Sequence, residues 1–361
     1  MPPIRVLIID DSVLNRETLS EALQGDPEIE IDGIASTGEQ ALTLIPQLRP
    51  SLVTLDLALP GMNGLKILAE IRKMNPNLPV IIFRAFTEPH AEAKSKASLW
   101  SATGYVAMPS QPGSRQALMQ HFRDHLIPKI KLLCAASAAP FGWRTPAVPA
   151  PRGSASTPVD VVAIGASTGG PEALAELIAK LPANFPVPLL IVQHMPAVFT
   201  RHFAERLNLL TPLLVLEAKA GNRLGRGQVW IAPGDYHMTV ARQGSEVVLA
   251  TNQQPAEQGC RPSVDVLFRS LAETFGARVL AVVLTGMGSD GSKGAQAVRD
   301  AGGEVFVQDE ETSVIWGMPG RVVAAGLANR ICPLRNIASE IVHWAYADRK
   351  PPDSAFAATA E

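Results

Sequence analysis

The sequence predicts an α/β protein built from two doubly wound parallel-sheet domains, and three observations carry that expectation. Short apolar runs alternate with helical patterns in both halves of the chain. A stretch rich in proline and alanine, with neither a helical nor a strand period, separates the two series. The 361 residues suffice for two cores of ordinary size. The expected division is a first domain over 1–130, a linker over 131–158 and a second domain over 159–361.

In the first domain IRVLIID, EIEIDGIA, SLVTLD, PVIIF and GYVAM read as strands. Helices are expected near 13–24, 39–48 and 63–74, over a poorly patterned stretch after PVIIF, and near 113–126. Five strand-helix units in succession require right-handed crossovers and a parallel sheet covered on both faces. The linker segment 134–158, CAASAAPFGWRTPAVPAPRGSASTP, has five prolines, which favour a semi-stiff spacer, and only Phe141 and Trp143 as aromatics. In the second domain VDVVAIG, PLLIVQH, QVWIAP, EVVLA, ARVLAVVLTG and GEVFVQ read as strands. PEALAELIAK and VDVLFRSLAETF read as helices.

Composition excludes several function classes. Lys and Arg number 32 and Asp and Glu 34, a formal charge of -2, so nucleic acid finds no electrostatic footprint. No apolar run approaches the roughly 18 residues of a membrane span, so direct membrane insertion is not expected. The start MPPIRVLIIDD lacks the zones of a signal peptide, and a cytoplasmic location is expected. Cys134, Cys260 and Cys332 are too scattered for a disulfide framework and read as buried small hydrophobes.

Chemistry-bearing residues collect at predicted strand ends, where a doubly wound sheet opens its crevice. Asp10 and Asp11 end the first strand and Asp56 ends the third. Three carboxylates at one edge repel each other, and Mg²⁺ is the natural counter-ion for such hard oxygens. The plainer alternative is a solvated acidic loop set.

In the second domain Gly165-Ala166-Ser167-Thr168-Gly169 fits G-x-S-x-G between a strand and a helix, with Ser167 as candidate nucleophile. The same glycines suit phosphate at a helix N-terminus, although no Walker lysine and no G-x-G-x-x-G follows. A serine nucleophile needs a base oriented by a third group. His194 ends PLLIVQH and so lies at the same sheet edge, ahead of His202 and His237. Asp290 follows ARVLAVVLTG and a glycine-rich turn, whereas Asp265 sits near a helix start, where capping explains it. In the loop of Gly286, Gly288 and Gly291 the Met287 amide is a candidate oxyanion donor.

Two resemblances sharpen this reading. IIDDSVLNR, TLDLALPGMNGL and PVIIF resemble a response-regulator receiver domain over residues 3–127, a flavodoxin-like fold. The resemblance implies phosphorylation of Asp56 by a histidine kinase, with Mg²⁺ held by Asp10, Asp11, Asp56 and the Ala58 carbonyl. Two positions depart from that family. Arg84 stands where a Ser or Thr reads the phosphoryl group, and Met108 stands before Pro109 where a Lys is usual. Arg84 either replaces the missing cation by a forked pair with Asp56 or points into water. Weaker dependence on phosphoryl donors than the family norm is therefore expected.

GASTGGPEAL, QHMP, APGDYHM, RPSVDVLF, LTGMGSDG and QDEETSVIWGMP, in that order, resemble the CheB methylesterase catalytic domain, a Rossmann-like fold. With the receiver and linker, the whole chain resembles chemotaxis response regulators with protein-glutamate methylesterase activity. The resemblance implies a triad of Ser167, His194 and Asp290 with the Met287 amide at the oxyanion. It implies γ-glutamyl methyl esters of methyl-accepting chemoreceptors as substrate, and deamidation of glutamine by the same path. It also implies no cofactor for ester hydrolysis, Mg²⁺ for the receiver, and the chemotaxis histidine kinase as phosphodonor. The competing readings are a non-enzymatic binding module for receptor or kinase and a nucleotide-binding domain.

Overall fold

A computed structural model describes residues 2–57, 59, 62, 64–76, 78–83, 103–106, 114–136 and 158–347. The chain divides into two compact units, Met1–Gly142 and Trp143–Glu361.

The first unit runs β1 (Ile4–Ile9), α1 (Val13–Gln24), β2 (Ile29–Ala35), α2 (Gly38–Leu48), β3 (Leu52–Leu55), α3 (Gly64–Met74), β4 (Val80–Phe83) and β5 (Gly104–Val106). Its strands form a parallel sheet in the order β2-β1-β3-β4-β5. Val6–Ile9, Leu52, Val53 and Leu55 are wholly buried, because helices cover both faces of the sheet. Helix starts follow local chemistry: the Ser12 hydroxyl accepts from the Asn15 amide at 3.4 Å, and Thr37 accepts from Gln40 at 3.3 Å. The strand order reverses at β1 and β3, so Asp10 and Asp56 leave the sheet at its switch point.

After β5 the helix α4 (Arg115–His121) passes through a wide π-type turn, Phe122–Leu126, into α5 (Ile127–Ala136). The helical segment thus extends beyond the expected end near 126 and takes in residues 131–136, read as linker. Phe122, Leu126, Ile130 and Leu133 are all buried, one continuous stripe that a window ending at 126 cuts short. Ala58, Arg84, Met108, Pro109, Phe141 and Trp143 lie outside the described residues, as do the expected helix after β4 and linker residues 137–157.

The second unit contains β6 (Val161–Ala166), α6 (Gly170–Ile178), β7 (Leu189–Gln193), α7 (Ala197–Asn208), β8 (Leu214–Glu217), β9 (Gln228–Ile231), β10 (His237–Gln243) and β11 (Glu246–Asn252). It continues with α8 (Val264–Phe275), β12 (Val279–Val283), α9 (Ser292–Asp300), β13 (Glu304–Gln308), α10 (Met318–Ala324), β14 (Arg330–Cys332) and α11 (Leu334–Tyr346). Seven strands form a parallel sheet in the order β14-β13-β12-β6-β7-β9-β8. The order reverses about β6, between β12 and β7, which places the crevice at their carboxyl ends. Every residue of β6 and β12 is buried, and Val264, Leu267, Phe268 and Leu271 of α8 belong to the same core.

EVVLA does not join this parallel sheet. It lies in β11, which pairs antiparallel with β10 from His237↔Asn252 to Gln243↔Glu246, a hairpin closed by Gly244 and Ser245. Gly244 adopts φ +63°, as such two-residue loops require. Its partner strand HMTVARQ is half polar, so the apolar run alone looked like one more parallel strand. The margin strands β8 and β14, four and three residues long, are too short for a sequence period to register. Among the described residues no helix is long and apolar enough to cross a membrane.

Candidate active site

The strand-to-helix turn after β6 puts Ser167 at the switch point. The fully buried strand ends at Ala166, Gly169 takes φ +78°, and Pro171 sits in the first turn of α6. Only glycine adopts that φ without strain. The Gln193 side chain clamps the turn, donating to the Ser167 carbonyl at 2.8 Å, and the Ser167 amide donates to the Thr285 carbonyl at 3.1 Å. Ser167 is buried except for about a tenth of its surface (9%), and its hydroxyl makes no hydrogen bond among the described residues.

The sheet register brings the candidate base alongside. Ala166 pairs with Gln193, and the His194 amide donates to the Ala166 carbonyl at 3.1 Å, so Ser167 and His194 leave neighbouring strands at the same level. From the other side Leu284 donates to the Gly165 carbonyl at 2.9 Å, which carries the Gly286-Met287 segment past Ser167. A methyl group on Gly286 would stand 2.8 Å from Ser167 Cβ and 2.4 Å from Met318 Sδ. Gly286→Ala is therefore expected to push the two segments apart and lower both the rate of the Ser167-dependent reaction, by about tenfold or more, and the unfolding temperature. Steady-state kinetics and thermal unfolding of that variant check this. The Met287 amide, the next in the chain after Gly286, donates to no acceptor among the described residues.

Asp290 reaches His194 from the loop after β12, with Oδ2 2.8 Å from His194 Nε2. Four further contacts hold the carboxylate in place. Ser263 Oγ donates at 2.8 Å, and the amides of Val264, Asp265 and Gly291 donate at 2.7, 2.9 and 3.0 Å. Asp265, wholly buried, lies beside it. It does not cap its own helix, whose N-cap is Ser263. Its carboxylate instead accepts from Gly291 at 2.9 Å and Gly294 at 2.7 Å, at the start of α9. Burial and the neighbouring Asp290 charge raise the Asp265 carboxyl above its usual range, against the Gly294 amide. Burial also opposes ionisation of Asp290, but His194 and the surrounding amides hold that carboxyl below its ordinary range.

Burial opposes a charge on His194, yet the adjacent Asp290 and Cys260 outweigh it and raise the imidazole above its ordinary 6.5. An ionised Asp290 only accepts, so neutral His194 carries its proton on Nε2 and keeps a lone pair on Nδ1. Cys260 Sγ lies 3.6 Å from that nitrogen. The residue is half-exposed beside the base, which corrects its reading as a buried filler; Cys134 is also half-exposed and only Cys332 is buried. Sequence spacing offered no signal for Cys260 beyond its place immediately before RPSVDVLF. Of the other histidines, His202 pairs with Glu205 on α7 at 3.0 Å, and the buried His237 bonds the Ser263 amide and the Pro255 carbonyl. Neither contacts Ser167 or Asp290 among the described residues.

In the first unit the acids do converge. One carboxylate oxygen from each of Asp10, Asp11 and Asp56 lies within 4.8 Å of the others, and Asp10 and Asp56 are wholly buried. Burial and the Asp56 charge push the Asp10 carboxyl up to about 6. Like charges crowded out of water in this way match a divalent cation of hard-oxygen preference, so these residues fit Mg²⁺. The Arg16 guanidinium donates to the carbonyls of Asp10 and Asp11 at 2.9 and 2.8 Å and fixes the loop.

The CheB methylesterase family model matches residues 162–341, and the response regulator receiver domain model matches residues 6–120. A protein-glutamate methylesterase/protein-glutamine glutaminase of Trichodesmium erythraeum is 44% identical over 348 residues, 95% of this chain and 99% of that protein. The enzyme of the same name from a Nocardioides species is 44% identical over 355 residues, 95% of each chain. The crystal structure of the Thermotoga maritima CheB methylesterase catalytic domain is 40% identical, covers 52% of this chain and 98% of its own, and superposes with a TM-score of 0.51.

Proposed function

The chain belongs to the CheB family of receiver-linked protein-glutamate methylesterases and protein-glutamine glutaminases, and from this we infer that it hydrolyses glutamyl methyl esters of chemoreceptors. The observation that carries the mechanism is the His194–Asp290 contact at the carboxyl edge where Ser167 emerges. Ser167 Oγ attacks the ester carbonyl while His194 takes its proton on Nδ1. Asp290 keeps the opposite ring nitrogen protonated and stabilises the imidazolium. The Met287 amide receives the developing oxyanion. Methanol leaves, and water activated by His194 hydrolyses the acyl-enzyme to a glutamate carboxylate. A glutamine side chain follows the same path with ammonia as leaving group.

Turnover needs His194 neutral, and its proton is held more tightly than in free imidazole. The acid limb of the kcat/KM profile is therefore expected on the alkaline side of 6.5. Stability runs the other way. The His194–Asp290 attraction is complete below 6.5 and is lost as pH rises through the elevated folded value. A pH series of rates and of thermal unfolding reads both trends, and an acid limb below 6 contradicts the assignment.

Asp10, Asp11 and Asp56 would hold Mg²⁺, which supplies the positive charge that phosphoryl transfer to Asp56 from the chemotaxis histidine kinase requires. Mg²⁺ is expected to raise the unfolding temperature of the first unit in the intact chain by several degrees, an effect lost in Asp56→Asn. Differential scanning calorimetry with and without a chelator measures it. Methanol release from methyl-labelled chemoreceptor membranes tests the function as a whole. No release by the intact chain, with or without a small phosphodonor, overturns it.

A further inference from the structure

Cys260 Sγ stands 3.6 Å from the only ring nitrogen of His194 that Asp290 leaves unprotonated. We propose that His194 Nδ1 and Cys260 Sγ form a binding site for a borderline-soft divalent cation of the Zn²⁺ class, and that its occupation switches off the esterase. The inhibitory consequence rests on the triad reading above, whereas the binding does not.

The pair is held in place before any ion arrives. Glu257 and Cys260 bond each other's backbones in both directions, the Glu257 amide at 3.1 Å and the Cys260 amide at 2.8 Å. Gln258 at φ +51° and Gly259 at φ +76° close the tight turn between them. The Gln258 side chain fastens the turn to the triad scaffold, donating to Asp265 Oδ2 at 2.6 Å and accepting from the Ser289 hydroxyl. Glu257 pairs with Arg269 on α8. Cys260 is thus anchored through the residues that precede it in the turn.

The distance suits coordination. Tetrahedral Zn²⁺ binds imidazole nitrogen at about 2.0–2.1 Å and thiolate sulfur at about 2.3 Å, which sets two such ligands about 3.6 Å apart. Behind the ring, Asp290 accepts from Nε2, the carboxylate–histidine relay that fixes the tautomer and strengthens the ligand nitrogen in metal sites. His194 and Cys260 are each only partly buried, so water completes the coordination sphere and an ion has a path in. Imidazole with thiolate selects Zn²⁺ over Mg²⁺, whereas the carboxylates of the first unit select the reverse. On binding, the thiol proton passes to solvent and sulfur donates a lone pair, with no change of oxidation state. The ion then occupies the lone pair that Ser167 needs.

The test is a titration of the intact chain with Co²⁺ as a spectroscopic substitute for Zn²⁺, in excess Mg²⁺ to fill the carboxylate pocket. One equivalent is expected to produce near-ultraviolet thiolate-to-cobalt absorption that Zn²⁺ then bleaches. Cys260→Ser is expected to lose this absorption although Cys134 and Cys332 remain, and His194→Gln to weaken binding by about tenfold or more. Circular dichroism establishes that both variants are folded. In parallel, Zn²⁺ is expected to lower methanol release by the wild type, reversibly with chelator, while the fractional loss in Cys260→Ser is small. Absence of the absorption in the wild type, its persistence in Cys260→Ser, or equal Zn²⁺ inhibition of that variant overturns the proposal. Cobalt absorption in a chain that releases no methanol would instead support the metal site and sink the esterase reading.

Discussion

Ser167→Ala is expected to lower methanol release from methylated receptor membranes by roughly 10⁴–10⁶-fold while leaving the fold intact. The hydroxyl is the atom that would form the acyl bond, and no other residue in the cluster can replace it in that position. The variant removes one oxygen from a side chain whose hydroxyl makes no hydrogen bond among the described residues, so no buried partner is orphaned. Unfolding temperature should stay within a degree or two of wild type. Residual catalysis reflects the Met287 amide and substrate positioning alone. Mass spectrometry after mixing with a methyl-ester peptide should detect an acylated chain for the wild type and none for the variant. A rate within tenfold of wild type would remove Ser167 from the mechanism.

Asp290→Asn is expected to be nearly as severe, about 10³–10⁴-fold in kcat/KM, and unlike Ser167→Ala it also destabilises the second unit. The carboxylate accepts from five donors and is almost wholly buried. An amide can replace only one of the two oxygens. Turned one way, its NH₂ faces His194 Nε2 and the Val264 amide. Turned the other way, it faces Ser263 Oγ and the amides of Asp265 and Gly291. At least two donors therefore lose their acceptor in either rotamer, at about 1–3 kcal/mol each. In the first rotamer His194 also loses the group that holds its Nε2 proton. Kinetics with chemical-denaturant unfolding should record both effects, and a variant that is stable yet inactive would assign Asp290 to orienting the base alone.

Much of this architecture was legible because strand ends and chemistry coincide. Asp10, Asp11 and Asp56 each follow an apolar run of the first unit, and Ser167, His194 and Asp290 each follow one of the second. In a doubly wound sheet the residues after parallel strands share one edge whatever the intervening helices contain. The elbow G-A-S-T-G adds a local requirement that tolerates few other sequences, which is why Gly169 could be assigned to a turn before its φ was seen. At the start of α8, by contrast, the expected cap was Asp265, whereas Ser263 accepts the Val266 amide there.

Residue order alone thus indicated two parallel sheets, the edge on which the chemistry gathers, and the acids, Ser167 and His194 as candidates there. Those depend on periodicity and short-range turn chemistry, which the chain encodes locally. Tertiary structure decided the rest. It sent EVVLA into a hairpin, because that choice turns on what β10 offers as a partner. It turned Asp265 away from its own helix onto the start of α9. It also brought Cys260 to His194 Nδ1 across 66 residues of sequence, a contact made by a two-residue turn and a side-chain brace from Gln258. Such contacts follow from the packing of elements distant in sequence, and no periodicity or motif spacing records them.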